Sequence, residues 1–326
     1  MIRKYLVLGL ILIASFVGAF VHAQVRSTDI VLGLSPEFPS PNQSVTATLS
    51  SYATNLDKAN ISWSVNNQEM GSGIGKKVFS FNTGNLGSPL SLNVLINTID
   101  GQSVQKTISL TPADVDMLWE ANDSYVPPFY KGKTLASNQG SFKVVAIPSL
   151  INKSGKVNKD NLSYVWTKDR SVQSNSSGWG KNYFIFQHSY LDKENVVEVK
   201  ISDITGEANA TGTVRPSISS PKIVFYENDP ALGIEWGRAV ENISTVSQAG
   251  EVFIAEPYFF SPKNITAPEL VFNWFVNEAE VQTSNSKNIL SVKPEAGQSG
   301  NAIIKVIVEN TKTLFQEAEK EINATF

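Results

Sequence analysis

The sequence predicts an all-β protein: three tandem β-sandwich domains behind an N-terminal signal peptide. Three observations carry this. A strand centred on a tryptophan recurs three times, with 103 residues from Trp63 to Trp166 and 108 from Trp166 to Trp274. Around each tryptophan apolar residues alternate with period two, as in Ile61-Ser-Trp63-Ser-Val65, which turns one face of a strand toward a core. About 100 residues holding some seven short strands is the size and rhythm of one sandwich.

The chain opens on Met1-Ile2-Arg3-Lys4, two positive charges ahead of an uncharged apolar run from Tyr5 to Val21 that ends in Val21-His22-Ala23. That is the pattern of a secretory signal, assigned to residues 1–23 with cleavage expected after Ala23. The run has 17 residues, longer than the usual apolar region of about 7–15, so an uncleaved signal anchor is the alternative. Both readings put the body outside, because Arg3 and Lys4 hold the N-terminus on the cytoplasmic side. No later stretch approaches the roughly 18 apolar residues of a membrane span. The expected location is secreted or extracellular, with retention at the cell surface left open and no membrane span after cleavage.

The first domain, 24–112, starts with Ile30 to Leu34, a proline-rich bend at Pro36, Pro39 and Pro41, and the alternating Val45-Thr-Ala47-Thr-Leu49. After Trp63 come a polar turn, a short strand at Val78-Phe79-Ser-Phe81, a longer one from Leu90 to Ile99, and a closing strand from Val104 to Leu110. The second domain, 113–217, repeats this with Tyr164-Val-Trp166, Tyr183-Phe184-Ile-Phe186, Val196 to Ile201, and Asn209 to Val214. The third, 218–326, has Phe272-Asn-Trp274-Phe-Val276, Ile289-Leu290-Ser-Val292, Ala302 to Val308, and Leu314 to Phe326. Leu314 to Ile322 is rich in helix formers; the repeat assigns it to a strand. The second and third copies also align at their beginnings. Leu118-Trp119-Glu120 falls on Phe225-Tyr226-Glu227, Tyr130-Lys-Gly-Lys133 on Trp236-Gly-Arg238, and Val145-Ala-Ile147-Pro148 on Ile254-Ala-Glu256-Pro257.

The Trp63-Ser-Val-Asn-Asn pattern of a tryptophan strand followed by a polar turn resembles the Ig-like and PKD-like domains of bacterial surface proteins. Trp119-Glu120, Pro127-Pro128-Phe129-Tyr130-Lys131-Gly132-Lys133, Val145 to Pro148, Phe225-Tyr226-Glu227 and Ala255 to Ser261 resemble a family of uncharacterised secreted proteins from candidate-phylum bacteria with such tandem domains. The likeness covers nearly the whole mature chain. It implies fold and location and carries no activity.

Composition excludes several chemistries. There is no cysteine, which removes thiol catalysis, Cys-based metal sites and disulfides; a cysteine-free secreted β protein reads as bacterial. Removing Arg3 and Lys4 from the 27 basic residues leaves 25 against 30 acidic ones, a net charge near −5, which argues against nucleic acid as a partner. Gly71-Ser-Gly73-Ile-Gly75-Lys76-Lys77 is not a phosphate loop, since Met70 and Lys77 stand where Gly and Ser/Thr are needed. It reads instead as a loop after the tryptophan strand, repeated as Gly178-Trp179-Gly180-Lys181 and missing from the third copy. His188 is the only histidine of the mature chain; without a placed acid it reads as a surface residue. No catalytic residue is assigned.

The candidate site residues are of two kinds. Tyr125, Tyr130 and Trp179 are aromatic residues in expected loops beside proline or glycine, suited to stacking on a sugar or anchoring a protein partner. For the Tyr125 to Tyr130 segment the favoured reading is that Phe129 and Tyr130 pack against their own sandwich or the neighbouring one. Glu120, Asp123, Glu227 and Asp229 lie near the domain junctions, where clustered oxygens would hold Ca²⁺; the alternative is ordinary turn chemistry, and no other cofactor is expected. The sequence therefore predicts a non-enzymatic secreted or cell-surface protein for adhesion, envelope structure or partner binding. Its partner would be a cell-surface or envelope protein or a glycan. The alternative is a carbohydrate-binding accessory module or a weakly glycoside-active protein. The linkers are short and proline-bearing, at Thr111-Pro112-Ala-Asp114 and Arg215-Pro216 to Pro221, with no Gly/Ser slack. They predict a semi-rigid rod whose second and third domains are joined more firmly than the first.

Overall fold

The computed structural model describes residues 25–152, 154–206, 208–283 and 286–326, so the signal segment lies outside the described residues. Regular structure in them is β apart from three single-turn 3₁₀ helices. No helix is long and apolar enough to cross a membrane among the described residues. The chain divides into two compact units, 1–112 and 113–326.

The first unit is one sandwich. A three-stranded sheet runs in the order Ile30–Ser35, Ser44–Ser51, Val78–Asn82, and faces a four-stranded sheet in the order Gln68–Ile74, Asn60–Val65, Leu90–Asn97, Ser103–Leu110. All pairs are antiparallel. The period-two positions Val45, Ala47 and Leu49 meet Ile61, Trp63, Leu92, Val94 and Ile96 in one buried cluster.

The second unit holds two such cores. In the first of them Tyr183–Gln187, Ser141–Ser149 and Asp114–Ala121 form a three-stranded sheet. It faces Ser171–Val172, Leu162–Lys168, Val197–Asp203 and Asn209–Val214, with Gly178–Trp179 also paired to Leu162–Lys168. In the other, Gly233–Val240, Lys222–Asp229, Glu251–Tyr258 and Ile289–Val292 face a five-stranded sheet built from Ile243–Thr245, Glu317–Thr325, Asn301–Asn310, Leu270–Val276 and Ala279–Val281.

The three tryptophans are fully buried, and each indole is used in the same way. Its N–H donates to a backbone carbonyl across the core edge: Trp63 to Lys76 at 2.8 Å, Trp166 to Lys181 at 2.8 Å, Trp274 to Lys287 at 2.9 Å. A buried indole N–H left without an acceptor costs about 1–3 kcal/mol. In the first two copies the residue before the accepting lysine is a glycine with positive φ, Gly75 at 68° and Gly180 at 67°, a backbone state that favours glycine. The ring then packs on an aromatic residue: Trp63 on Phe79 at 5.4 Å, Trp166 on Phe184 at 5.8 Å. In the third copy Leu290 stands at that repeat position, and Trp274 packs on Phe225 at 5.6 Å.

Four expectations change. Of the glycine-bearing segment after Trp63, Gly71 to Ile74 belong to the paired strand Gln68–Ile74, and Gly75 to Lys77 form the turn that follows it. His188 is buried, not on the surface: its Nδ1 lies 3.0 Å from Asn195 Nδ2, and its backbone N–H donates to the Gly140 carbonyl. The alignment of Leu118 with Phe225 slips by one residue. Leu118 pairs with Val145, and the residue pairing with Ile254, the counterpart of Val145, is Tyr226; one residue of slip exchanges the buried and exposed faces of a strand. Tyr130 is likewise not equivalent to Trp236: Trp236 lies in a strand beside Lys222–Asp229, whereas 127–130 form a turn.

Leu314 to Phe326 is decided by pairing. Glu317–Thr325 runs antiparallel to Asn301–Asn310 over nine residue pairs, with Ile322 and Ala324 buried. Leu314 and Phe315 precede the strand in the turn, so Phe315 has no face to share. Helix propensity of a few tenths of a kcal/mol per residue loses to a full ladder on a buried face.

Candidate functional site

Tyr125 and Tyr130 belong to the segment that leaves Asp114–Ala121. Pro127 and Pro128 have no N–H to give to a ladder, and the segment crosses to the next sandwich instead of returning to its own sheet. Tyr125 pairs by backbone with that sandwich, N–H to the Phe260 carbonyl at 2.6 Å and carbonyl to the Phe259 N–H at 2.9 Å. Its hydroxyl donates to Glu256 Oε2 at 2.8 Å. Phe129 sits 4.6 Å from Trp236 and 5.7 Å from Tyr226 between ring centroids. Tyr130 lies 5.8 Å from Tyr258 and 5.9 Å from Phe259. Both tyrosines are half-buried in this joint, not free on a loop. A second contact closes the other side. The buried Gln316 amide accepts from the Ser261 N–H and hydroxyl and donates to the Asn138 carbonyl at 2.7 Å. Four of the five buried side-chain oxygens without a hydrogen-bond partner among the described residues, on Ser124, Ser137, Asn138 and Thr313, lie in or beside these two segments.

The joint also shifts protonation. Burial pushes the Glu256 carboxyl up, partly offset by the Tyr125 hydrogen bond. Burial, then the bond to Glu256, pushes the Tyr125 hydroxyl up as well. Asp123 is raised by burial although its carboxylate accepts from the Ser141 N–H at 2.9 Å. The other carboxylates considered for Ca²⁺ are dispersed. Glu120 is exposed, Glu227 accepts from the Ser244 hydroxyl at 2.6 Å, and Asp229 accepts the Ala231 and Leu232 N–H groups as a turn residue. No three Asp, Glu, His or Cys side chains come together as a metal site among the described residues.

Trp179 remains on the surface, 55% exposed. It stands in a two-residue strand opposite Ser163, and its neighbour Gly180 donates to the Leu162 carbonyl. A groove of about 420 Å³ lies close by along the chain, lined by Ala146, Ile147, Pro148, Val157, Asn158 and Asn182 with Lys156 and Lys159.

A further surface was not legible beforehand. On the outer face of the three-stranded sheet Tyr183, Val145 and Leu118 stand directly opposite one another across three strands. Ile185 and Ile147 flank this row. Tyr183 is 51% exposed, Leu118 57%, Ile147 47%. The solvent face of an antiparallel sheet is normally polar, so an apolar row there marks a contact surface. The signal was present as the run Leu118-Trp119 and Val144-Val145-Ala146-Ile147, apolar on both parities. Only sheet register tells which residues point outward.

The fold defines a tandem β-sandwich protein with three cores. No family model and no curated protein sequence matches the chain. Among solved structures it is similar to the central fibronectin III array of RIM-binding protein, at 10% identity over 90% of this chain and 95% of that one with a TM-score of 0.31. It is also similar to three N-terminal domains of the bacteriophage RB49 Hoc capsid protein, at 11% over 91% and 97% with 0.27. The fibronectin III-like modules of Clostridium thermocellum CbhA align at 12% over 58% and 94% with 0.27. Overlaps this loose carry no function from those proteins to this chain.

Proposed function

We propose that the chain is a non-enzymatic secreted or cell-surface protein that binds a partner at the cell envelope, with 24–112, 113–217 and 218–326 as its three modules. The observation that supports this is the exposed apolar row Tyr183–Val145–Leu118 on a sheet whose neighbouring sandwich is held firmly against it elsewhere. A binding surface needs such a rigid support. The test is photo-crosslinking on intact source cells from a probe at Tyr183. Capture of one envelope component that disappears in Leu118→Glu is the expected result; an unchanged capture pattern removes the reading.

A second reading, carbohydrate binding, is favoured by the exposed ring of Trp179, a flat apolar surface suited to stacking on a sugar. Glycan-array binding lost in Trp179→Ala supports it, and an array without signal removes it.

A further inference from the structure

The two sandwiches of the second unit carry equivalent outer faces, and one of them shows what such a face accepts. The row Tyr183–Val145–Leu118 corresponds strand for strand to Ile289–Ile254–Tyr226, because Ile254 pairs with both Ile289 and Tyr226. Ile147 corresponds to Glu256, each two residues beyond the central position. On the later sandwich this face is covered. Tyr226, Ile254 and Glu256 are buried, and the segment running from Tyr125 through Pro127 and Pro128 to Tyr130 lies on this face, with Phe129 against Tyr226, the Tyr125 hydroxyl on Glu256 and Tyr130 against Tyr258. On the earlier sandwich the same face is open, with Leu118, Ile147 and Tyr183 about half exposed.

We propose that the Leu118–Val145–Ile147–Tyr183 face is a docking site for a proline-stiffened aromatic loop presented by a partner protein of the same sandwich type. The loop's chemistry is read from the occupant of the equivalent face. Prolines fix the backbone before binding, so less entropy is lost on docking, and aromatic rings cover the apolar row. One position differs in a way that sets specificity. Where Glu256 accepts a tyrosine hydroxyl, the open face has Ile147, which offers no acceptor. The partner loop therefore carries an apolar residue at the place of Tyr125, because a buried hydroxyl without an acceptor weakens binding by about tenfold. This inference rests on the partner-binding reading and narrows it to one chemical class.

The experiment titrates the synthetic peptide Asp123–Lys133, and its Tyr125→Leu version, into the isotope-labelled full chain. NMR shifts are expected at Leu118, Val145, Ile147 and Tyr183, with the Tyr125→Leu peptide binding about tenfold more tightly. Ile147→Glu in the protein is expected to reverse that preference, and Leu118→Glu with Tyr183→Glu to abolish both shifts. These side chains are exposed, so the variants keep the fold, and the unshifted remainder of the spectrum reports it. Absence of shifts on this face, or a preference that Ile147→Glu leaves unchanged, overturns the proposal. If the peptides fail while crosslinking from Tyr183 still captures a partner, the loop assignment falls and the binding reading stands. If both fail, both fall.

Discussion

Trp63, Trp166 and Trp274 each contribute a large buried ring and one hydrogen bond, and mutation separates the two. Truncation to Ala is expected to cost roughly 3–5 kcal/mol, enough to unfold a typical domain. Phe keeps most of the ring but strands the carbonyl of Lys76, Lys181 or Lys287, for about 1–3 kcal/mol. Urea midpoints of the two variants at one site should rank in that order. Glu256 adds a pH dependence. Its folded pKa lies above the ordinary value because of burial, so the protonated form is favoured by folding. Its stabilising contribution is full below the unfolded value of about 4.3 and is lost as pH rises through the folded value. The hydroxyls facing it, Tyr125 and Tyr258, are pushed up and remain neutral in this window. Asp123, raised in the same direction, adds to the trend. Glu256→Gln retains an acceptor for Tyr125 and cannot ionise; its melting temperature should fall less than the wild type's between mildly acidic and neutral pH.

At the scale of elements, the joint depends on a segment that gave up its own sheet. Phe129 contacts both Tyr226 and Trp236, so Phe129→Ala should cost about 1–3 kcal/mol, below the core range because the ring is half-buried. Hydrogen exchange should quicken along Lys222–Asp229 while Leu162–Lys168 keeps its protection; equal effects on both strands would contradict the joint. The segment's prolines and aromatics were legible in the sequence, but not their destination, because a segment of this kind suits its own sandwich as well as the next. The last strand shows the opposite balance. Its composition favours a helix, whereas repeat position and the ladder to Asn301–Asn310 make it a strand.

For the whole molecule, the division at Pro112 makes a calorimetric prediction. The two cores of 113–326 share the Tyr125 and Gln316 contacts, so they should unfold together, apart from 25–112. Gln316→Ala removes three acceptor contacts and one donor contact from a buried site, and should split that shared transition in two without moving the transition of 25–112. A single unsplit transition would show that the joint is held by the aromatic side alone.

The sequence by itself determined the fold class and its rhythm. Period-two alternation around three spaced tryptophans states which strands face a core, because that information is local to each strand. Only the tertiary structure decided what the remaining surfaces do. The Tyr125 to Tyr130 segment reads as packed on its own sandwich or the next, and the structure places it on the next; His188 reads as a surface residue and is buried against Asn195. Leu118, Val145 and Tyr183, 65 residues apart from first to last, form one row only once three strands pair in register. Such a row depends on long-range pairing, and a shift of one residue would turn it inward.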